Sequence, residues 1–120
     1  MLINISNHPL SEWSEKQINE ATRLWGGVVD VLFPQIDDTA TNEEIIDLVS
    51  SNIERYIELI EQYPAPSAFH IMGEMVYCFN LIKALKERGY IVVASTSNRD
   101  VEIAGDSKIV YFSFERFREY

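Results

Sequence analysis

The sequence predicts an α/β fold: one Rossmann-like, three-layer domain with a mainly parallel four-stranded sheet and a C-terminal antiparallel hairpin. Short, almost wholly apolar runs alternate with segments of helical period, as is typical of a parallel sheet that helices cover on both faces. Near the C-terminus the apolar residues recur at every second position, which indicates antiparallel strands. With 120 residues and no visible repeat or linker, the chain is predicted to form a single domain over residues 1–120.

The chain begins with a predicted strand and helix. The apolar run Leu2–Ile5 predicts the first strand, and Asn7-His8-Pro9 ends it in a loop. Ser11 or Ser14 is expected to cap the helix that follows, and Gly26-Gly27 to end it. Its inward positions recur every three or four residues and are Trp13, Ile18, Ala21, Leu24 and Trp25.

A second strand and a long helix come next. Val28–Phe33 is apolar and is stopped by Pro34, so it is predicted to be a strand. Thr41-Asn42-Glu43-Glu44 has the pattern of a capping box, and one apolar face then continues for about six turns. The residues Pro64-Ala65-Pro66 are expected to break this helix.

The third and fourth strands flank the last predicted helix. Ser67–Ile71 predicts a strand ended by Gly73, and Tyr90–Ala94 predicts another. Between them the helical period runs from Glu74 to Arg88, with Gly89 as the stop and an inward face made of Val76, Phe79, Ile82 and Leu85. The hairpin is expected from Val101 to Phe114, turning at Gly105-Asp106.

The charge distribution restricts the partners. The net charge is −9, which argues against binding to long nucleic acid, because that affinity comes from clustered Lys and Arg. Residues 67–120 carry 7 of the 10 basic side chains, so a small anionic ligand is expected to bind there. No apolar stretch is long enough for a membrane span, and the single cysteine Cys78 fits a reducing compartment. The expected location is the cytoplasm.

The doubly wound topology selects the candidate site. Ligands of such sheets bind beyond the carboxyl ends of the strands, near the point where the strand order reverses. Four segments follow the strand ends there, one of them Pro34-Gln35 after the second strand, and the last combines hydroxyls with a guanidinium, which suits a phosphate. The candidate ligand-binding residues are Ser6, Asn7, His8, Met72, Gly73, Glu74, Ser95, Thr96, Ser97, Asn98 and Arg99.

Several of these chemistry-bearing residues have a structural alternative. His8 precedes a proline and either shapes the turn or contacts a ligand, and Glu74 either caps a helix or acts in the site. His70 lies in an apolar strand and is expected to be a hydrogen-bonded core residue, and Cys78 a buried structural thiol. No phosphate-binding glycine motif is present, and neither a metal nor another cofactor is expected.

Three short motifs carry a resemblance to a known family. Asn7-His8 with Leu10-Ser11, Ala94-Ser95-Thr96-Ser97-Asn98-Arg99 and the terminal run from Phe114 to Tyr120 resemble small stand-alone CRISPR-associated proteins related to the CARF domain. Some of these proteins are ring nucleases. The resemblance implies a CARF-like homodimer that binds cyclic oligoadenylate, the second messenger of type III CRISPR antiviral defence, and hydrolyses it without metal.

The roles that follow from this resemblance are specific. Cyclic tetra-adenylate is the expected ligand, Thr96 and Arg99 are the expected catalytic residues on its phosphate, and His8 is expected to assist proton transfer. Ser97 would hold the same phosphate. Two alternatives stay open: a non-catalytic nucleotide sensor of the same fold, and an interaction module that uses the acidic helix from Glu43 to Glu61. A dimer is also favoured by a cluster of aromatic residues in the hairpin, namely Tyr111, Phe112, Phe114 and Phe117.

Overall fold

The computed structural model describes residues 1–120 and contains one five-stranded sheet with three α-helices. The elements are β1 (Leu2–Ser6), a 3₁₀ turn (Leu10–Glu12), α1 (Glu15–Trp25), β2 (Val28–Val31), α2 (Asn42–Ile60), β3 (Ala68–Met72), α3 (Met75–Glu87), β4 (Val92–Ala104) and β5 (Ser107–Glu119). The strand order is β2-β1-β3-β4-β5, in which the first four strands are parallel and β5 is antiparallel. The predicted α/β class, the mostly parallel sheet and the C-terminal hairpin are confirmed.

The number of strands was predicted wrongly. The sheet has five strands because β4 does not end at Ala94 but continues to Ala104 and is itself one arm of the hairpin. The residues from Ser95 to Arg99, which were predicted to form a loop, therefore lie in a strand. Ser95 still contacts Gln17 of α1, but from Ser97 onward the stretch is exposed and has only β5 beside it, so it needs no apolar residues. Apolar runs detect only buried strands. The second strand is also shorter than predicted, since it ends at Val31.

The predicted helix signals are present. Ser14 accepts a hydrogen bond from the Gln17 backbone at 3.2 Å, and Thr41 and Glu44 form the reciprocal capping box. Glu74 caps α3 by accepting from the backbone of the second and third residues beyond it. Helix α1 ends at Gly26, whose φ of 87° lies in the left-handed region that favours glycine. Local sequence therefore determines where these helices begin and end.

Two apolar clusters lie on opposite faces of the sheet. On one face, α1 and the preceding Trp13 cover Leu2, Ala68 and Val93. On the other face, α2 and α3 cover a larger cluster that includes the strand residues Ile3, Ile5, Phe69, Ile71 and Val92. Since side chains of a strand alternate between faces, this division shows three layers, with the sheet in the middle.

The inward face of α3 differs from the predicted one. The buried residues are Tyr77, Cys78, Leu81 and Leu85, whereas Phe79 is 66% exposed and Val76 is 39% exposed. The helix is apolar around most of its circumference, so periodicity did not distinguish its faces. Tyr77 can be buried because its hydroxyl has a polar partner: it lies 2.8 Å from the hydroxyl of Tyr56 in α2.

A two-stranded ribbon projects from the sheet. The β3–β4 ladder contains the pairs Phe69–Val92 and His70–Val93, whereas the β4–β5 ladder runs from Val93 to the turn at Gly105. At a register shift between Thr96 and Ser97, Glu115 is an extra residue of β5, so the alternation of β5 side chains between the two faces moves by one position there. Beyond it, one ribbon face carries Ser97, Phe114, Arg99, Phe112, Val101, Val110, Ile103 and Lys108. We call this the inner ribbon face, because it continues the sheet face that α1 covers.

None of the helices combines the length and the apolarity that a membrane span needs.

Candidate functional site

A cleft of about 520 Å³ opens at the carboxyl edge of the sheet, between the start of α1 and the inner ribbon face. The strand order reverses between β1 and β3, and the cleft lies beside this point, where doubly wound folds bind ligands. Its walls come from the loop after β1, from α1, from β3 and from the ribbon: His8, Glu12, Trp13, Ser14, Gln17, His70, Met72, Ser95, Ser97, Phe112 and Phe114.

The floor of the cleft is a hydrogen-bonded network of polar side chains. Asn4 Oδ1 lies 2.8 Å from His70 Nδ1, and His70 Nε2 lies 2.7 Å from Ser95 Oγ. Ser6 Oγ lies 2.7 Å from Asn4 Oδ1, and Gln17 Nε2 donates to Ser95 Oγ at 2.9 Å. No buried polar side-chain atom is left without a partner. The network is therefore complete inside the protein and reaches the cleft at Ser95.

His70 is the buried centre of this network and is 1% exposed. The edge of Trp13 packs against its ring at a centroid distance of 5.1 Å, and Phe117 does so at 5.7 Å. Burial first, and the nearby charge of His8 second, lower the pKa of His70 to about 4. The ring is therefore neutral at physiological pH, with one nitrogen that donates and one that accepts. The prediction of a hydrogen-bonded core histidine is confirmed.

His8 stands at the rim of the cleft. Its imidazole Nδ1 lies 3.3 Å from Glu12 Oε2, and both side chains are more than half exposed. Its backbone carbonyl, in contrast, is held firmly, since it accepts hydrogen bonds from Asn4 Nδ2 and from Trp13 Nε1, each at 3.0 Å. The loop is fixed while the ring remains free to contact a ligand.

The structure brings together part of the predicted site. His8, Met72, Ser95 and Ser97 line the cleft, and Ser6 lies beneath it in the network. The exposed Asn7 donates its backbone N–H to the Met72 carbonyl and thereby joins the ends of β1 and β3.

Other predicted residues lie away from the cleft. Glu74 caps α3, and Gly73 faces the ring of Phe33. Thr96 Oγ1 lies 3.2 Å from both the backbone carbonyl and the backbone N–H of Arg116, so its hydroxyl is engaged at the register shift. Alternation along the ribbon places Asn98, with its partner Ser113, on the side opposite the inner ribbon face, which we call the outer ribbon face.

Arg99 lies on the inner ribbon face, directly opposite Phe112, which lines the cleft. Its guanidinium forms none of the four salt bridges of the molecule. Arg99 does not itself line the cleft, but an unpaired cation opposite a residue that does is available to an anionic ligand.

The sequence interpretation missed several residues of the site, above all Asn4, Gln17 and Asp30. One signal could have found the floor. Asn4 and Ser6 in β1 and His70 in β3 are polar residues in otherwise apolar strands, Ser95 directly follows the apolar start of β4, and their spacing puts all of them on one face. Polar residues that share a buried face require one another as partners.

No group of three or more His, Cys, Asp and Glu side chains is placed to hold a metal ion. A second cavity, of about 550 Å³, lies along the exposed side of α3 beside Met75, Phe79 and Ile82. Its walls are mostly apolar. The polar side-chain network lies at the first cleft, which is therefore the candidate site.

One protein family matches this chain. The family model described as "Uncharacterized protein MJ1673 family" matches residues 1–118, which is nearly the whole chain. No curated protein and no solved structure matches the chain.

Proposed function

The chain belongs to the MJ1673 family, and we propose that it binds a cyclic oligoadenylate in the cleft between α1 and the inner ribbon face and cleaves it without a metal. The observation that carries this proposal is the cleft itself: a complete polar network at the reversal point of the sheet, walled by aromatic rings. The resemblance to CARF-related ring nucleases indicates which nucleotide to expect. We also propose that the domain is related to Rossmann-like folds and that the protein is cytoplasmic.

The walls suit a nucleobase. Trp13, Phe112 and Phe114 line the cleft, and aromatic side chains are the usual stacking surfaces for bases. Phe112 is 70% exposed, so one ring face is free to receive a base. The Gln17 side chain and the Ser97 hydroxyl offer hydrogen bonds to the edge of a base or to a ribose. This combination supports a nucleotide rather than a purely apolar ligand.

The phosphate would be held by few cations, since the net charge of the protein is −9. Arg99 and Lys108 lie on the inner ribbon face, and His8 stands on the opposite rim. Arg99 has no carboxylate partner that would have to be displaced. We assign Arg99 the stabilisation of phosphate charge and His8 the donation of a proton to the leaving oxygen. Since the Thr96 hydroxyl is bonded to the Arg116 backbone, we give Thr96 a positioning role at the register shift.

Two copies of the chain complete the proposed site. A cyclic tetra-adenylate has two equivalent halves, so a two-fold dimer presents the same groups to each half. The inner ribbon face leaves Phe112 and Ile103 exposed, at 70% and 77%, which is unusual for a small monomer. We propose that the second protomer covers the part of the inner ribbon face that lies away from α1.

A second candidate is a sensor that binds the messenger without cutting it. The engaged Thr96 hydroxyl favours this alternative, because its bonds to the Arg116 backbone keep it from acting on a phosphate.

The test incubates the purified protein with cyclic tri-, tetra- and hexa-adenylate in excess chelator, followed by chromatography and mass analysis. Chromatography is needed because a ring opened by its own 2′-hydroxyl keeps its mass until a second cut. Linear products support the nuclease, and binding of an unchanged ring supports the sensor. If none of the three rings binds, the cleft serves another ligand and the proposal is wrong.

A further inference from the structure

The orientation of the Asn4 side chain fixes the direction of the whole network. Asn4 Nδ2 lies 2.9 Å from Asp30 Oδ1 and 3.0 Å from the His8 carbonyl oxygen. A carboxylate and a carbonyl oxygen only accept hydrogen bonds, so the amide nitrogen must face them. The amide oxygen therefore faces His70, and an amide oxygen is also only an acceptor.

The protons of His70 and Ser95 follow from this orientation. His70 Nδ1, at 2.8 Å from Asn4 Oδ1, must carry the proton of the neutral ring. His70 Nε2 is then an acceptor, and Ser95 Oγ, at 2.7 Å, must donate to it. The Ser95 oxygen in turn accepts from Gln17 Nε2 at 2.9 Å.

Ser95 Oγ has a second lone pair that no group of the protein uses, and Ser95 is one of the residues that line the cleft. Toward a ligand, Ser95 is therefore an acceptor and never a donor. The ligand group beside it must carry a proton, as a hydroxyl does. Every bond from there to Asp30 is donated in the same direction, away from the cleft. A proton that enters at Ser95 can therefore pass to His70 Nε2, and the bonds through Asn4 to Asp30 hold the ring in the tautomer that accepts it.

We propose that Ser95 and His70 form a proton-accepting pair, in which Ser95 Oγ takes the proton of a ligand hydroxyl while its own proton passes to His70 Nε2. This inference rests on the proposed function, in which the hydroxyl is a ribose 2′-OH of cyclic oligoadenylate. Ser95 is then a catalytic residue. His70 and Asn4 act through it and are positioning residues.

The reaction step balances as follows. The bond from the 2′-oxygen to phosphorus forms, and the bond from phosphorus to the 5′-oxygen breaks, with its electron pair remaining on the 5′-oxygen. The 5′-oxygen takes a proton from His8 or from water at the open rim. The product ends are a 2′,3′-cyclic phosphate and a 5′-hydroxyl. The proton on His70 then returns through Ser95 to solvent.

The surroundings of His70 fit a proton acceptor that is ready before the ligand arrives. Trp13 and Phe117 exclude water from the ring, and Asn4 prevents it from rotating. The charged and titratable groups nearest to it are His8 and Glu12 at the rim and Asp30 behind Asn4. The groups that the packed elements place around the pair are uncharged: Gln17 of α1 bonds to Ser95, and Phe117 of β5 and Trp13 before α1 pack against the His70 ring. The negative charge of Asp30 lies on the side to which the proton moves.

The first experiment compares Ser95→Ala with the matched control Ser113→Ala, whose hydroxyl is exposed and lies on the outer ribbon face. Single-turnover cleavage and equilibrium binding of cyclic tetra-adenylate are measured for both variants. We expect Ser95→Ala to slow cleavage at least about a hundredfold, the usual range for a lost general base, while Kd changes only a few-fold. Ser113→Ala is expected to match the wild type.

A pH profile gives a readout that a structural role would not move. Since burial holds the pKa of His70 at about 4, the wild-type cleavage rate is not expected to fall as the pH is lowered from 8 to roughly 5, and it is expected to drop below that. A rate that already falls between pH 7 and 6 would assign the proton to another group and overturn the pair.

The second experiment needs no ligand. ¹⁵N NMR of the imidazole of the whole protein at neutral pH is expected to show a protonated Nδ1 and a bare Nε2 for His70. The opposite tautomer would overturn the direction of the network, whatever the activity. Cleavage at the wild-type rate by folded Ser95→Ala would overturn the pair and leave the proposed function intact. A wild-type protein that binds the ring without cutting it, or does not bind it, would overturn both.

Discussion

Asn4 and Asp30 are register partners on the parallel strands β1 and β2, and Asn4 Nδ2 donates to Asp30 Oδ1 at 2.9 Å. The same carboxylate accepts the backbone N–H of Leu10 at both oxygens, at 3.1 and 3.0 Å. One aspartate therefore connects an edge strand, a central strand and the loop that carries His8. Removing it would leave the buried amide of Asn4 with one partner fewer.

Asp30→Ala is expected to lower the free energy of unfolding by about 1–3 kcal/mol, the usual cost of leaving a buried polar group unsatisfied. Urea denaturation measures this change. Asp47→Ala, an exposed aspartate on α2, is the control and is expected to have no such effect. Equal stabilities of the two variants would show that the Asn4–Asp30 contact contributes little.

The close approach of β3 to Phe33 requires the glycine at position 73. A Cβ atom at Gly73 would lie 2.5 Å from Cζ of Phe33, whose ring also packs against Tyr77 at 5.5 Å. We expect Gly73→Ala to destabilise the protein by about 1–3 kcal/mol through overpacking. Gly27→Ala is the control, since its nearest neighbour would be the flexible Met1 at 3.4 Å. A thermal unfolding midpoint that is equally unchanged in both variants would contradict this prediction.

His70 makes the stability depend on pH in a defined direction. Its pKa is about 4 in the folded protein against an ordinary value of 6.5, so below pH 6.5 the unfolded chain binds a proton that the folded protein does not. The corresponding stability is complete above pH 6.5 and is lost as the pH falls toward 4, by about 3 kcal/mol in total.

The measurement uses the upper part of this window, which stays above the isoelectric point of about 4.6. Between pH 7.5 and 5.5 the wild type is expected to lose roughly 1 kcal/mol more than His70→Gln. Denaturant titrations of both proteins at the two pH values give the difference. Parallel pH dependence of the two would show that His70 titrates normally.

Arg99→Ala is expected to weaken binding of cyclic oligoadenylate at least tenfold. A charge-assisted contact to phosphate contributes about 1.5–3 kcal/mol, or roughly one to two decades in affinity. The control is Arg118→Ala, which removes the same charge from an exposed position that pairs with Ala94 near the end of β5. Calorimetric titration compares the two, and equal affinities would place the phosphate elsewhere.

Cys78 is expected to be chemically inert in the folded protein. It is 7% exposed, and burial first and the charge of Glu74 second raise its pKa to about 11. Since the thiolate is the reactive form, iodoacetamide at neutral pH is expected to label Cys78 only after unfolding. Cys78→Ala is expected to keep turnover within a few-fold of the wild type. Rapid labelling of the native protein would contradict the assignment of Cys78 as a structural thiol.

Local signals determined the order and class of the elements. Ser14, the Thr41–Glu44 capping box and Gly26 act through their own backbone neighbours, so they could be identified without knowledge of the fold. Buried strands such as β1 and β3 were equally visible, because a sheet covered on both faces needs continuous apolar runs. The α/β class and the parallel order of the strands followed from these elements.

The tertiary structure alone decided the course of β4 and the composition of the site. Residues beyond Ala94 are polar, and only the pairing with β5 makes them a strand, since ladder hydrogen bonds depend on a partner far along the chain. His70 and Ser95 were visible as separate residues, but they contact each other, and His70 contacts Asn4, only because β1, β3 and β4 align at one register and α1 adds Gln17. A sequence identifies a polar group in an apolar strand. Its hydrogen-bond partner, and whether it donates or accepts that bond, depend on which strands become neighbours.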